Sequence, residues 1–285
     1  MRILHTRAEL HRALDPLPRP VLVPTMGNLH AGHLALVARA CELARETGAP
    51  VVASVFVNRL QFGPGEDFDR YPRTLQRDAD LLEQAGCRLL FAPDEAQMYP
   101  VPQTFHVHPD PRLAGELEGA ARPGHFEGVA TVVLKLFQLV RPAAAVFGKK
   151  DYQQLLLVRA MVEQFALDVR IEGLDTVRES YGLAMSSRNG YLGAAERAQA
   201  PQLQRTLRAL AETARACTDL EQLRQAQHAA AHALRELGWA PDYVSVRRRA
   251  DLQTPQAQDL GRPDALVVLG AARLGTTRLL DNLEI

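Results

Sequence analysis

The chain has 285 residues, of which 47% are hydrophobic and 23% are charged. This composition supports a folded core rather than a disordered chain, and the length suits one large domain or two ordinary ones. Basic and acidic residues number 33 each. The zero net charge argues against a polybasic protein that binds nucleic acid.

No apolar run reaches the about 18 residues of a membrane helix. The first ten residues carry charges at Arg2, Arg7 and Glu9, where a secretory signal would be apolar. Three widely spaced cysteines without a C-x-x-C pair predict neither a disulfide framework nor a thiolate metal site. We therefore expect a cytoplasmic protein with no membrane partner.

The first part of the chain alternates between short apolar runs and helical patterns. In chain order, we predict strand 20–24, helix 33–48, strand 51–57, loop 58–72, helix 73–85, strand 88–91, helix 126–140, strand 143–148, helix 152–165 and strand 168–173. Strands that alternate with helices of these lengths predict a parallel sheet with crossover helices. The fold class is therefore α/β, with a doubly wound parallel sheet.

The remainder of the chain has a different pattern. Two helical patterns occupy 194–237 and divide near Cys217, and three strand-like stretches follow at 242–249, 265–274 and 276–285. Helices followed by strands predict a smaller α+β domain. We place the boundary near Thr176.

The stretch from Pro24 to His33 joins the strand 20–24 to the next helix. In α/β sheets ligands bind at the carboxyl ends of strands, and the N–H groups at a helix start attract anions. His30 and His33 lie three residues apart, so both can face one side of the first turn. Two imidazole donors there suit a phosphate that gains charge during a reaction. The alternative is that one histidine caps the helix while the other packs.

Two further segments combine donors with a turn. Gly148 to Asp151 lies between a strand and a helix, where a Lys suits polyphosphate, although a solvated charge pair is the simpler interpretation. Met185 to Asn189 offers hydroxyl and guanidinium donors for phosphate oxygens, or forms an ordinary helix start. Gln61 follows the predicted strand 51–57, and Gln154 lies on the first turn of the predicted helix 152–165. Their amides could hold a small polyhydroxy acid without adding charge, or they are ordinary surface residues.

Other polar clusters carry less chemistry. His228 and His232 have a spacing that suits a metal but no third ligand nearby, and we interpret them as surface residues. The run Arg247–Arg249 is interpreted as a solvated strand end. His125 opens a helix near the presumed cleft, and its role stays open.

Five stretches carry a resemblance to a known family, in that family's order and approximate spacing. They are VPTMGNLHAGH, SVFVNRLQFGPGEDFDRYPRTL, ARPGHFEGVATVVLKLFQLVRP, GKKDYQQL and TVRESYGLAMSSRNGYL. On these stretches the chain resembles the pantothenate synthetases (pantoate–β-alanine ligases) of the nucleotidyltransferase-like H-x-G-H superfamily. The resemblance covers nearly all of the chain up to the fifth stretch and, more loosely, the rest.

The resemblance implies a Rossmann-like domain at 1–176 that binds ATP and pantoate, and a lid domain at 177–285. It implies a homodimeric, Mg²⁺-dependent ligase whose partners are small-molecule substrates and not nucleic acid. The implied reaction condenses (R)-pantoate with β-alanine through a pantoyl adenylate, and it releases AMP and pyrophosphate.

Carried onto matching positions, the resemblance assigns His33 as a proton donor and gives His30 and Lys150 catalytic roles. Gln61 and Gln154 would hold pantoate, with Gln61 also near β-alanine. The ATP-binding positions implied are Met26, Gly27, Asn28, Leu29, His30, Ala31, Gly32, His33, Gly148, Lys149, Lys150, Asp151, Val177, Met185, Ser186, Ser187 and Arg188.

The chain departs from the family pattern at three positions. Asn28 stands where the family usually has Ala, and Arg59 and Asp175 each stand where it usually has Pro. Arg59 matters most, because it adjoins Gln61.

Asp78 is a candidate ligand for Mg²⁺.

Two other functions use similar sequence features. A related nucleotidyltransferase would transfer AMP to a phosphorylated acceptor, and its acceptor site should be basic rather than lined by amides. A nucleotide-sensing module would keep the phosphate loop and need no pantoate site. Fold alone does not separate these functions.

Overall fold

A six-stranded parallel sheet organises the first part of the computed structural model, which describes residues 1–285. Its strands are β1 (Arg2–Leu4), β2 (Val21–Thr25), β3 (Val51–Val55), β4 (Leu89–Phe91), β5 (Ala144–Gly148) and β6 (Arg170–Leu174), in the order β1-β4-β3-β2-β5-β6. Every neighbouring pair is parallel. The predicted doubly wound α/β fold is confirmed.

The helices in this part of the chain are α1 (Arg7–Leu14), α2 (Ala31–Arg45), α3 (Leu75–Gln84), α4 (Glu95–Met98), α5 (Pro111–Ala114), α6 (Glu118–Ala121), α7 (His125–Val140) and α8 (Tyr152–Gln164). The four predicted helices match α2, α3, α7 and α8, with ends displaced by a few residues. The sequence patterns missed β1, α1 and the four-residue helices α4, α5 and α6. The three residues of β1 are too few to show a period, and α1 begins with a capping box of Thr6 and Glu9.

The central strands of the sheet are buried because they are continuous apolar runs covered by helices. Val23 on β2 and Val37 on α2 have no exposed surface and belong to one hydrophobic cluster. Strand β2 has β3 on one side and β5 on the other, so the strand order reverses between β2 and β5. A ligand site is expected in the crevice at the carboxyl ends of these two strands.

The later part of the chain contains a three-stranded antiparallel sheet. Its strands are β7 (Ala240–Arg248), β8 (Leu266–Leu274) and β9 (Thr277–Glu284), in that order. The helices are α9 (Ala194–Gln199), α10 (Pro201–Ala216) and α11 (Leu220–Glu236). Leu207 of α10, Leu234 of α11 and Val268 of β8 are buried in one cluster. The predicted α+β architecture is confirmed.

The contacts within the chain divide it into two compact units. The first comprises Met1–Asp110, Arg122–Lys149 and Leu157–Asp175, and the second comprises Pro111–Ala121, Lys150–Leu156 and Thr176–Ile285. The second unit thus includes two short segments that precede residue 176, so the units differ from the continuous ranges 1–176 and 177–285. That these ranges are domains, the second acting as a lid, stays a prediction. None of the helices has the length and apolar character needed to span a membrane.

Candidate active site

A buried carboxylate holds the loop that follows β2. Asp78 on α3 has no exposed surface, and its two oxygens accept the backbone N–H groups of Asn28 and Leu29, both at 2.8 Å. The hydroxyl of Thr74 donates to the same carboxylate at 3.1 Å. Gly27 has a φ of +86°, and a Cβ atom there would lie 3.0 Å from an Asp78 oxygen. The carboxylate therefore fixes the loop and leaves no room for a side chain at residue 27.

The two histidines of the H-x-G-H stretch form the start of α2. Nδ1 of His30 accepts the backbone N–H of Gly32 at 3.1 Å, and Nδ1 of His33 accepts that of His30 at 3.3 Å. Their ring centroids lie 4.0 Å apart. Because each Nδ1 is an acceptor, the hydrogen-bond network assigns the proton of each neutral ring to Nε2. Capping and catalysis are therefore compatible: one nitrogen of each ring caps the helix, and the other is a donor.

The carboxyl end of β3 brings Gln61 against the β2 loop. Gln61 is 8% exposed, and its Nε2 donates to Sδ of Met26 at 3.3 Å. Its Oε1 accepts from Nδ2 of Asn58 at 3.2 Å, and Oδ1 of Asn58 accepts the hydroxyl of Tyr99 at 2.7 Å. Burial raises the pKa of Tyr99, so its hydroxyl remains a donor at neutral pH. The structure thus joins two predicted binding residues, Met26 and Gln61.

Helix α7 packs directly on the 3₁₀ turn Arg59–Gln61. A Cβ atom at Gly128 would lie 2.2 Å from the carbonyl oxygen of Leu60, so this close approach requires glycine. Nδ2 of Asn58 donates to the Gly128 carbonyl at 3.1 Å. Nδ1 of His125 bonds to the carbonyl oxygen of Gln61 at 2.9 Å. His125 therefore supports the backbone that carries Gln61.

An ion pair braces the same turn from the loop side. Arg122 donates through Nε and Nη2 to the carboxylate of Glu66, both at 2.7 Å, and Nη2 also reaches the Gln61 carbonyl at 3.3 Å. Burial by itself would raise the pKa of Glu66, but the hydrogen bonds and charge of Arg122 outweigh it and lower this pKa. Glu66 is therefore ionised at neutral pH and holds Arg122 across the loop.

The structure accounts for each departure from the family pattern. Asn28 has a φ of 51°, a left-handed conformation that Asn adopts more readily than Ala. The guanidinium of Arg59 lies over the ring of Phe68, 3.9 Å from its centroid. Oδ1 of Asp175 lies 2.6 Å from Nζ of Lys149. The Asp at 175 therefore gives Lys149 an acidic partner, which a Pro would not.

In the second unit, Lys150 and Asp151 precede α8. Nζ of Lys150 lies 3.6 Å from Oδ1 of Asp151, and the Lys150 carbonyl accepts Nδ2 of Asn282 at 2.7 Å. Gln154 is half-buried on the first turn of α8. Its neighbour Gln153 is buried and donates to two backbone carbonyls. Gln153 therefore has a structural role, which leaves Gln154 as the candidate for substrate.

The later predicted segment of the second unit forms a closed loop. The backbone N–H of Met185 donates to the Val177 carbonyl at 3.0 Å, so these two predicted positions lie side by side. Oγ of Ser186 accepts the N–H of Arg188 at 3.2 Å and caps the 3₁₀ turn Ser187–Tyr191. The segment is thus a short 3₁₀ turn rather than the start of an α-helix.

The acidic groups do not form a metal centre. No three His, Cys, Asp or Glu side chains are grouped so that they could hold a metal ion. Asp78, the candidate Mg²⁺ ligand, is fully buried, and both of its oxygens accept backbone N–H groups. At nucleotide sites Mg²⁺ commonly uses one or two carboxylates together with substrate phosphates and water. The contacts of Asp78 give it a role in supporting the loop, and its assignment as a Mg²⁺ ligand stays a prediction.

Sequence reasoning missed several residues that support these loops. Asn58 could have been found, because it lies three residues after the end of β3, at the edge where ligands are expected. Half-buried Arg178 and buried Asp281 form an ion pair across 103 residues of sequence, and no local pattern indicates such a pair.

Comparisons with known proteins agree with one another. The family model described as pantoate-β-alanine ligase matches residues 2–284. A pantothenate synthetase of Leptothrix cholodnii is 60% identical over the full length of both chains. One from Thiobacillus denitrificans is 57% identical and covers 100% of this chain and 97% of its own length.

Solved structures give the same result. A pantothenate synthetase of Thermus thermophilus superposes with a TM-score of 0.90 at 49% identity, covering 100% of this chain and 99% of the other. A pantoate-β-alanine ligase of Francisella tularensis, complexed with β-γ ATP and β-alanine, superposes with a TM-score of 0.76 at 30% identity. That match covers 100% of this chain and 97% of the other.

Proposed function

This chain belongs to the pantoate-β-alanine ligase family, and from that premise we propose a two-step reaction through a pantoyl adenylate. First, a carboxylate oxygen of pantoate attacks the α-phosphorus of ATP, and the bond to pyrophosphate breaks. Then the amine of β-alanine attacks the acyl carbon, loses a proton and expels AMP. The predicted family, the ligase activity on pantoate and β-alanine, and the use of ATP are confirmed.

The observation that carries the proposal is the placement of the H-x-G-H stretch. It joins the carboxyl end of β2 to the start of α2, beside the point where the strand order reverses. Backbone N–H groups and the helix dipole favour an anion at this end of the helix. With Nδ1 committed to capping, the Nε2–H groups of His30 and His33 would donate to the phosphates as charge develops.

The other proposed ATP contacts come from segments that offer hydrogen-bond donors to the phosphates. In the first unit these are the stretch Met26–His33 with Gly148 and Lys149. In the second unit they are Lys150, Asp151, Val177 and the segment Met185–Arg188. Hydroxyl, guanidinium and ammonium groups suit phosphate oxygens, and no protein nucleophile is required.

Gln61 and Gln154 are proposed to bind pantoate, with Gln61 also near β-alanine. Pantoate is an anion that must approach a triphosphate, so a neutral amide suits its pocket better than a second carboxylate. The only partner of the Gln61 NH₂ group in the hydrogen-bond network above is a thioether sulfur, which is a weak acceptor. A hydroxyl or carboxylate oxygen of the substrate would be a stronger one.

Mg²⁺ fits this chain as a companion of the nucleotide rather than as a resident cofactor. The acidic side chains form no ligand cluster, and Asp78 faces backbone N–H groups. We therefore propose that Mg²⁺ enters on the phosphate oxygens of ATP and neutralises part of their charge. We also propose a homodimer, as the resemblance implies, and a cytoplasmic location, as the sequence indicates. Light scattering would then give twice the mass of one chain.

The experiment that tests the two-step reaction omits β-alanine. Enzyme, ATP and pantoate should release about one equivalent of pyrophosphate and retain pantoyl adenylate, since the second step cannot proceed. Addition of β-alanine should then release AMP and pantothenate. Formation of ADP and phosphate would contradict an adenylate. A mixture without pantoate is the control and should release no pyrophosphate.

A further inference from the structure

Asp281 and Asn282 are adjacent on β9, and each contacts one of the two second-unit segments that contain proposed ATP-binding residues. Asn282 donates through Nδ2 to the carbonyl oxygen of Lys150 at 2.7 Å. The carboxylate of Asp281 accepts hydrogen bonds from both terminal nitrogens of Arg178, at 2.6 and 2.9 Å. The side chains of Asp281 and Asn282 are buried, and Oδ1 of Asp281 also accepts the backbone N–H of Asn282 at 2.7 Å. The two contacts are therefore linked through one strand.

Arg178 extends this link to the loop that carries Ser186. It forms a β-bridge with Ala184, and its Nη1 donates to the carbonyl of Gly182 at 3.1 Å. Its Nη2 also donates to the carbonyl of Asn282 at 3.2 Å. The guanidinium thus ties the closed loop 177–185 to β9.

We propose that Asp281 and Asn282 are positioning residues for adenylate formation. They act through other groups: Asn282 sets the backbone of Lys150, and Asp281 sets Arg178 and with it the loop that ends at Ser186. The proposal rests on the proposed function, because it takes Lys150 and Ser186 as ATP-binding residues. Strand β9 then fixes the relative placement of two sets of phosphate donors within the second unit.

The chemistry at residue 282 requires a donor. The Lys150 carbonyl can only accept, so Asn282→Ala leaves it without this hydrogen bond and releases the turn before α8. Loss of one such bond changes an equilibrium by about threefold to tenfold. We expect Asn282→Ala to slow single-turnover pyrophosphate release from ATP and pantoate by about tenfold, with the KM for pantoate unchanged. Asn282→Ser keeps a shorter donor and should lose less.

A double-mutant cycle with Lys150→Ala tests whether Asn282 acts through Lys150. If it does, Asn282→Ala should slow the wild-type enzyme about tenfold and the Lys150→Ala enzyme by less than about twofold. The same fold-loss in both backgrounds would overturn the proposal, because it would show a general structural effect. If Asn282→Ala does not fold, the cycle is run with Asn282→Ser, and the same comparison decides.

Gln227→Ala is the matched control. Oε1 of Gln227 accepts the backbone N–H of Val246 at 2.8 Å, so this variant also removes a contact between a side-chain amide and the backbone of the second unit. It should lower the melting temperature without slowing pyrophosphate release. A normal rate for Lys150→Ala would refute the proposed role of Lys150, and the inference with it. A slow Lys150→Ala beside a normal Asn282→Ala would refute the inference alone.

Discussion

Each compact unit contains a buried aspartate that holds a loop assigned to ATP, but the two use different partners. Asp78 binds backbone N–H groups of Asn28 and Leu29, which every residue except proline offers. Asp281 binds the guanidinium of Arg178, which no other side chain replaces. The first loop therefore tolerates side-chain changes that keep its backbone geometry. The second loop depends on the identity of one arginine.

The largest expected effect is that of Asp281→Ala, because it leaves Arg178 without its carboxylate. Breaking a fully buried ion pair from one side costs about 3–5 kcal/mol, and because the Arg178 side chain is 22% exposed we take the lower end of that range, about 3 kcal/mol. We expect the free energy of unfolding, measured by urea titration, to fall by this amount. Arg178→Met combined with Asp281→Leu should cost less, since neither charge is left alone. A double variant as unstable as the single one would refute the charge-specific account.

Among the residues that follow the loop held by Asp78, we expect His33 to contribute most to the rate of adenylate formation. We expect His33→Ala to lower the rate of adenylate formation on the order of 100-fold, because a donor to the developing phosphate charge is lost. The effect should fall on kcat more than on ATP affinity, as measured by single-turnover pyrophosphate release. His228→Ala, an exposed histidine on α11, is the control and should turn over normally. Near-normal turnover of His33→Ala would leave His33 with its capping role alone.

Asp78→Asn tests how much the hydrogen bonds from backbone N–H groups to Asp78 contribute to stability. The amide keeps one acceptor oxygen, but its NH₂ group then faces a backbone N–H group. We expect the free energy of unfolding to fall by about 1–3 kcal/mol, as for a buried donor that loses its acceptor.

The same variant tests whether Asp78 also binds Mg²⁺. If the carboxylate only supports the loop, the Mg²⁺ concentration that gives half-maximal activity should be unchanged. A large increase in that concentration would support the metal-ligand assignment.

The smallest effect is expected at Lys149, the last residue before the division between the units. Its ion pair with Asp175 survives in Lys149→Arg, so single-turnover adenylation should stay within about twofold of normal. Lys150→Arg should be slower by about tenfold, because a planar guanidinium cannot take the place of a compact ammonium on a phosphate. Equal tolerance at the two positions would favour the simpler interpretation of Lys149 and Lys150 as a solvated charge pair.

The sequence predicts the strands of the parallel sheet well because continuous apolar runs leave few alternatives. The predicted strand 20–24 is displaced by one residue at each end from β2, and the predicted strand 143–148 begins one residue before β5. The loops after these strands could be assigned for the same reason, since ligands bind at the carboxyl edge of such a sheet.

The supports of the site could not be predicted, because they depend on contacts between distant parts of the chain. A carboxylate such as that of Asp78 suits a cation by residue type, but its support of the loop shows only in the structure, because its partners lie about 50 positions earlier in the chain. Arg178 and Asp281 are separated by 103 residues. Asn28 is informative only once its φ of 51° is known.

The contact between Gly128 and Leu60 has a consequence for hydrogen exchange. Helix α7 contributes many core residues, and the turn that carries Gln61 rests on it with no intervening side chain. The turn therefore cannot open unless α7 leaves the sheet. Its amide hydrogens, including the Gln61 N–H bonded to the Asn58 carbonyl, should exchange only when the whole first unit unfolds. The turn that carries Gln61, which we propose binds pantoate, would then resist local unfolding as strongly as the core of the first unit.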